Sequence, residues 1–98
     1  MLTSMKNRSV IVTGGSKGIG KGIATVFAAQ GAQVMIAARG EADGEAAAEA
    51  MRSVGGRVEF CACDVSDWDS VRNMMDHTVE RFGGLHVVCA NAGAFPQT

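Results

Sequence analysis

The sequence predicts an α/β fold, a parallel sheet covered on both faces by helices. Three observations carry that prediction. Short apolar runs alternate along the chain with longer segments whose apolar residues fall at helical spacing. The connections between them are short and contain no repeat or low-complexity linker. The first apolar run is continuous and rich in β-branched residues, the pattern of a strand buried on both faces. At 98 residues the chain is one small domain or part of one.

The elements follow in order. Ser9 to Val12 is a first strand, stopped at Thr13-Gly14-Gly15. From Gly18 the period changes: Ile19, Ile23, Val26, Phe27 and Gln30 fall three and four apart, and Gly31 stands where a helix stops. Gln33 to Ala38 is a second strand. The alanine-rich segment Ala42 to Val54 predicts a second helix with Ala47, Ala50, Met51 and Val54 on its inner face, ended by Gly55-Gly56. Arg57 to Cys63 alternates as a third strand. Ser66 and Asp69 form the pattern of a capping box opening a third helix, with a core stripe of Trp68, Val71, Met75, Val79 and Phe82 and a stop at Gly83-Gly84. Leu85 to Ala90 is a fourth strand, followed by the turn Asn91-Ala92-Gly93.

Right-handed crossovers place these strands in the order 3-2-1-4, a doubly wound sheet of the Rossmann type whose ligands bind at the strand carboxyl ends. The third and fourth strands are then about 14 Å apart, which keeps Cys89 from Cys61 and Cys63. Those three cysteines are an odd number and lack partners at zinc spacing, so small buried thiols rather than a metal site are expected. His77 and His86 are read as surface or strand residues rather than catalysts.

The turn after the first strand fits two templates. Gly15 to Lys21 matches the phosphate loop G-x-x-x-x-G-K of nucleotide hydrolases, but that loop needs a Ser or Thr next as a magnesium ligand, and Gly22 stands there. A dinucleotide-binding turn needs only permissive backbone between a strand and a helix. Gly14 suits the tight turn, Gly18 the approach of the cofactor and Gly20 the close packing of helix on strand, while free N–H groups at the helix start face the pyrophosphate. The dinucleotide reading is therefore preferred.

Thr13-Gly14-Gly15-Ser16-Lys17-Gly18-Ile19-Gly20, Asp64-Val65 and Asn91-Ala92-Gly93, in that order and at those intervals, resemble the short-chain dehydrogenase/reductase family, with the 3-oxoacyl-(acyl-carrier-protein) reductase branch the nearest in character. The resemblance covers nearly the whole chain. It implies that the glycine turn, with Gly14, Ser16, Lys17, Gly18, Ile19 and Gly20, holds the pyrophosphate side of a cofactor. It further implies that Asp64 bonds the adenine amino group, that Val65 packs near the adenine ring, and that Asn91, Ala92 and Gly93 fix the central sheet and border the ribose. Many members carry two asparagines before Ala-Gly; here Ala90 takes the first position.

The form of the cofactor is read from the end of the second strand. An NAD-binding unit usually carries an acid there for the ribose hydroxyls, and this chain has Ala38 followed by Arg39. Arg39 and Lys17 converging on one spot suit a 2′-phosphate, so NADP(H) is expected ahead of NAD(H).

The resemblance also implies catalysis by a Ser, a Tyr-x-x-x-Lys pair and a further Asn placed well after the Asn-Ala-Gly turn, and this chain contains no tyrosine. Residues 1–98 accordingly read as the amino-terminal part of a single cofactor-binding domain, cut before the catalytic segment. The full-length protein is expected to be an NADPH-dependent reductase interconverting a ketone, with a 3-oxoacyl thioester as one candidate, and a secondary alcohol. A chain truly ending at Thr98 would instead be a nucleotide-binding or interaction fragment. A homo-oligomer is expected of the full-length protein by resemblance. The net charge of −1 offers no basic footprint for nucleic acid, no apolar stretch reaches the length of a membrane span, and the first eight residues lack the apolar run of a signal peptide. The expected location is cytoplasmic.

Overall fold

The computed structural model describes residues 5–14 and 17–90. Seven elements alternate: β1 (Ser9–Thr13), α1 (Gly18–Ala29), β2 (Gln33–Ala38), α2 (Glu41–Arg52), β3 (Arg57–Ala62), α3 (Trp68–Phe82) and β4 (Val87–Cys89). All strand pairings are parallel and the order is β3-β2-β1-β4, as the sequence predicts. The Rossmann-type α/β architecture follows directly.

Both faces of the sheet are covered, which is why the central strands are apolar at successive positions. Val10, Val12, Val34, Ile36 and Val58 turn to one side and pack with Ala24, Ala47, Ala48 and Met51 from α1 and α2. Ile11, Met35 and Ala37 turn to the other and pack with Cys63 and with Met74 of α3. Each large aliphatic side chain so buried contributes about 1.5–3 kcal/mol. No helix among the described residues is long and apolar enough to cross a membrane.

The structure keeps part of each inner face predicted for the helices, such as Ala47 and Met51, and corrects the rest. In α1 the buried residues are Gly20 and Ala24, with Ile23 and Phe27 beside them, whereas Ile19 and Val26 are exposed. Small residues one turn apart let the helix axis approach the sheet, and that rotates Ile19 and Val26 off the contact line by roughly a third of a turn. In α2, which begins and ends slightly earlier than expected, Gly44, Ala47, Ala48 and Met51 are buried, while Ala50 and Val54 face outward. In α3, Met74 and Thr78 form the buried line, with Val71, Met75 and Phe82 partly covered and Trp68 and Val79 exposed. Thr78 is tolerated there because its hydroxyl donates to the Met74 carbonyl at 2.8 Å.

The capping box is also corrected. Asp67, not Ser66, caps α3, accepting from the Asp69 N–H at 3.0 Å. Ser66 is already committed, since its hydroxyl donates to Asp64 Oδ1 at 2.6 Å. The helix ends as predicted at Gly83, in the left-handed region, whose N–H donates to the Val79 carbonyl.

Candidate functional site

The parallel order sets the carboxyl ends of β1, β2 and β3 side by side. Continuation of the ladders past the strands brings their following residues together: the Gly14 N–H donates to the Ala37 carbonyl at 2.8 Å, and the Cys63 N–H to the Ala38 carbonyl at 2.9 Å. A cleft of about 210 Å³ opens there, lined by Gly14, Ala37, Ala38, Arg39, Cys63, Asp64, Val65 and Ser66. A shallower recess beside it shares Arg39, Cys63 and Asp64 and adds Ser70.

Residues distant in sequence thus meet at one place, and four of the predicted site residues, Gly14, Arg39, Asp64 and Val65, line one cleft. Val65 is 43% exposed and offers an apolar wall. Asp64 is held rather than free to rotate. Its Oδ1 accepts both the hydroxyl of Ser66 at 2.6 Å and the backbone N–H of Ser66 at 3.0 Å, and its own N–H donates to Ser70 Oγ at 2.9 Å. Both hydrogen bonds fall on one oxygen, which leaves Oδ2 with its lone pairs for a donor such as an exocyclic amine. The Ser66 hydroxyl, then the Ser66 N–H, and to a smaller extent the Arg39 guanidinium hold the Asp64 carboxyl below the usual carboxylate range.

The helix side of the cleft is built by glycine. Gly14 and Gly18 have φ of 67° and 56°, a region that side-chain-bearing residues rarely adopt. A Cβ on Gly18 would meet no protein atom within 4 Å, so the space above this turn is open to a ligand. The α1 N-cap, Lys17, provides no side-chain cap, and no acid stands in the first helical turn. Among the described residues no side chain caps the N-terminal N–H groups of α1, which suit an external anion. Gly20 is buried inside the same helix, and Ile19 is 76% exposed at its start. These features fit the adenosine and diphosphate of a dinucleotide: a walled slot with an acceptor, a helix end without a side-chain cap from Lys17, and open space above Gly18.

Lys17 is not an unengaged cation. Its Nζ is 3.1 Å from Asp43 Oδ2, in the first turn of α2. Ser16, Asn91, Ala92 and Gly93 lie outside the described residues. Sequence reasoning missed Ser66 and Ser70 as the groups that fix Asp64, and Cys63 as a cleft residue. The Asp-x-Ser spacing of a side-chain-closed turn was the available signal for Ser66.

The three cysteines are free thiols, Cys63 buried and Cys61 and Cys89 half-buried, and burial pushes the last two thiols up. No group of three metal-ligating side chains occurs among the described residues. His86 is exposed just before β4 and His77 half-buried on α3. The apolar hollow of about 290 Å³ beside the carboxyl ends of α1 and α2, lined by residues such as Thr25, Met51 and Val54, contains no titratable group.

Comparison with known proteins agrees with this geometry. Residues 8–98 match the model of the short chain dehydrogenase family. The chain is 43% identical over 96 residues to L-fucose dehydrogenase of Bos taurus, covering 98% of this chain and 34% of that protein. It is 40% identical over 94 residues to the 3-oxoacyl-(acyl-carrier-protein) reductase of Chlamydia muridarum, covering 95% of this chain and 38% of that one. The crystal structure of a short chain dehydrogenase from Bacillus anthracis superposes with a TM-score of 0.83 at 38% identity, covering 90% of this chain and 35% of the other. The chain thus spans about a third of the length of the proteins it matches. With the sheet order, the glycine turn and a family match over nearly its whole length, this chain belongs to the short-chain dehydrogenase/reductase family.

Proposed function

We propose that this chain forms the adenosine-binding part of an NADP(H)-dependent oxidoreductase that interconverts a ketone and a secondary alcohol. Membership of the family implies a nicotinamide cofactor. The observation that carries the finer reading is the cleft lined by both Arg39 and Asp64, with the small Ala38 where an NAD-binding unit places an acid. Asp64 receives the adenine amino group, Val65 covers the ring, the head of α1 takes the diphosphate, and Arg39 and Lys17 take the 2′-phosphate. When bound, the cofactor supplies or accepts hydride at its nicotinamide. The residues of this chain bind and orient it from the other end.

The chain has no tyrosine. The role these residues support is therefore cofactor capture, and a tyrosine proton donor for the carbonyl is not among residues 1–98. A 3-oxoacyl thioester is one candidate substrate, because a relative bearing that reductase name matches over 95% of this chain. The sugar dehydrogenase among the relatives keeps the substrate class wider than that.

Fluorescence titration of the purified protein with NADPH and NADH tests the cofactor assignment. NADPH is expected to bind about tenfold more tightly, and Arg39→Ala to remove most of that preference. Equal affinities, or a preference untouched by Arg39→Ala, overturn it. Intact mass and a carbonyl-reduction assay test the enzyme reading. A mass of 10.1 kDa with nucleotide binding and no reduction would replace it with a non-catalytic binding fragment.

A further inference from the structure

The Lys17 ammonium assigned to the 2′-phosphate already has an anionic partner. Its Nζ lies 3.1 Å from Asp43 Oδ2, and both side chains are largely exposed. The two come from different elements. Lys17 occupies the N-cap position of α1 at the glycine turn, and Asp43 stands in the first turn of α2, four residues after Arg39. One ion pair therefore spans the two segments from which the phosphate-binding cations come.

We propose that Asp43 sets the cofactor selectivity of this site by competing with the 2′-phosphate for Lys17. The inference rests on the NADP(H) reading above. A lysine ammonium is a compact charge with three donors, and at 3.1 Å the Asp43 carboxylate takes one of them. A phosphate carrying up to two negative charges must displace that carboxylate or share the lysine with it, and sharing brings two anions together. A cofactor that ends in a free 2′-hydroxyl makes no such demand, so the pair stays closed. Asp43 consequently weakens NADPH binding and leaves NADH binding alone, narrowing the preference that Arg39 and Lys17 create.

Glu41 provides an internal control. It occupies the same helical turn and carries the same charge, yet it forms no ion pair among the described residues. Removal of charge from this turn in general is thus separable from release of Lys17.

The test compares dissociation constants of NADPH and NADH for the purified protein and for Asp43→Asn, Glu41→Gln, Lys17→Ala, Arg39→Ala and the double variant Lys17→Ala/Asp43→Asn. Asp43→Asn is expected to tighten NADPH about threefold, the scale of an exposed ion pair, with NADH unchanged. Glu41→Gln should leave both unchanged, and the gain from Asp43→Asn should vanish in the Lys17→Ala background. An NADPH affinity no higher in Asp43→Asn than in Glu41→Gln overturns the inference, as does a gain that persists without Lys17. If Lys17→Ala and Arg39→Ala lower the NADPH preference while Asp43→Asn behaves like Glu41→Gln, only this inference falls. If neither cation variant changes the preference, the NADP(H) reading falls and takes the inference with it.

Discussion

Ser9 and His86, 77 residues apart, form a reciprocal backbone-to-ring and backbone-to-backbone pair. The Ser9 N–H donates to His86 Nδ1 at 3.0 Å, and the His86 N–H donates to the Ser9 carbonyl at 3.0 Å. The pair starts the β1–β4 ladder, whose registered partners begin at Val10 and Val87. Ser9 is 1% exposed, so its N–H has little access to water if the ring is lost. His86→Ala is expected to lower the unfolding free energy by about 1–2 kcal/mol, the cost of a buried donor left unpaired. His86→Asn, whose Oδ1 stands near the position of Nδ1, should recover most of it. Chemical denaturation of the three proteins checks both values.

Glycine in a helix has opposite consequences at two positions. In α2 a Cβ on Gly44 would overlap the ring of Phe60 on β3, whereas in α1 a Cβ on Gly22 would meet nothing within 4 Å. Alanine favours a helix interior by roughly 0.5–1 kcal/mol over glycine. Gly22→Ala is expected to raise stability by that amount. Gly44→Ala should instead lower it by about 1–3 kcal/mol, because the ring must swing off the helix or the helix must lift. Thermal or urea unfolding distinguishes the two, and Phe60→Leu in the Gly44→Ala background should restore part of the loss.

The Asp64–Ser66 turn predicts a pH effect with a definite sign. The carboxyl is held below its ordinary range, first by the Ser66 hydroxyl. A carboxylate with a depressed folded-state pKa keeps its contribution above the unfolded value and loses it as pH falls through the folded one. The turn, and nucleotide binding through it, should therefore persist on acidification below the range in which an ordinary aspartate protonates. Ser66→Ala should move the Asp64 titration upward toward that range, with the acid limb of nucleotide affinity moving in the same direction. Carbon-13 carboxyl shifts across the titration give the direct measurement.

The site was legible to the degree that one segment carried its own signal. Gly14, Gly18 and Gly20 were readable because a tight turn and a close helix approach demand that residue type within a few positions. Asp64 was named through family resemblance; the Asp-x-Ser spacing that points to Ser66 went unread, and nothing local indicated that Ser70 would join it. Lys17 and Arg39 were read as converging cations, and the carboxylate that engages Lys17 lay unremarked 26 residues further on.

By itself the sequence determined the element order, the limits of β2 and the strand order β3-β2-β1-β4. Period, punctuation by glycine and the handedness of crossovers are local or topological constraints that survive without coordinates. Tertiary structure alone decided that Ile19, Val26, Ala50, Val54, Trp68 and Val79 face outward, that Asp67 rather than Ser66 caps α3, and that Lys17 meets Asp43. Those outcomes depend on how closely one element approaches another. That distance is set by the summed packing of small residues such as Gly20, Ala24 and Gly44 against the sheet, a sum no single segment contains.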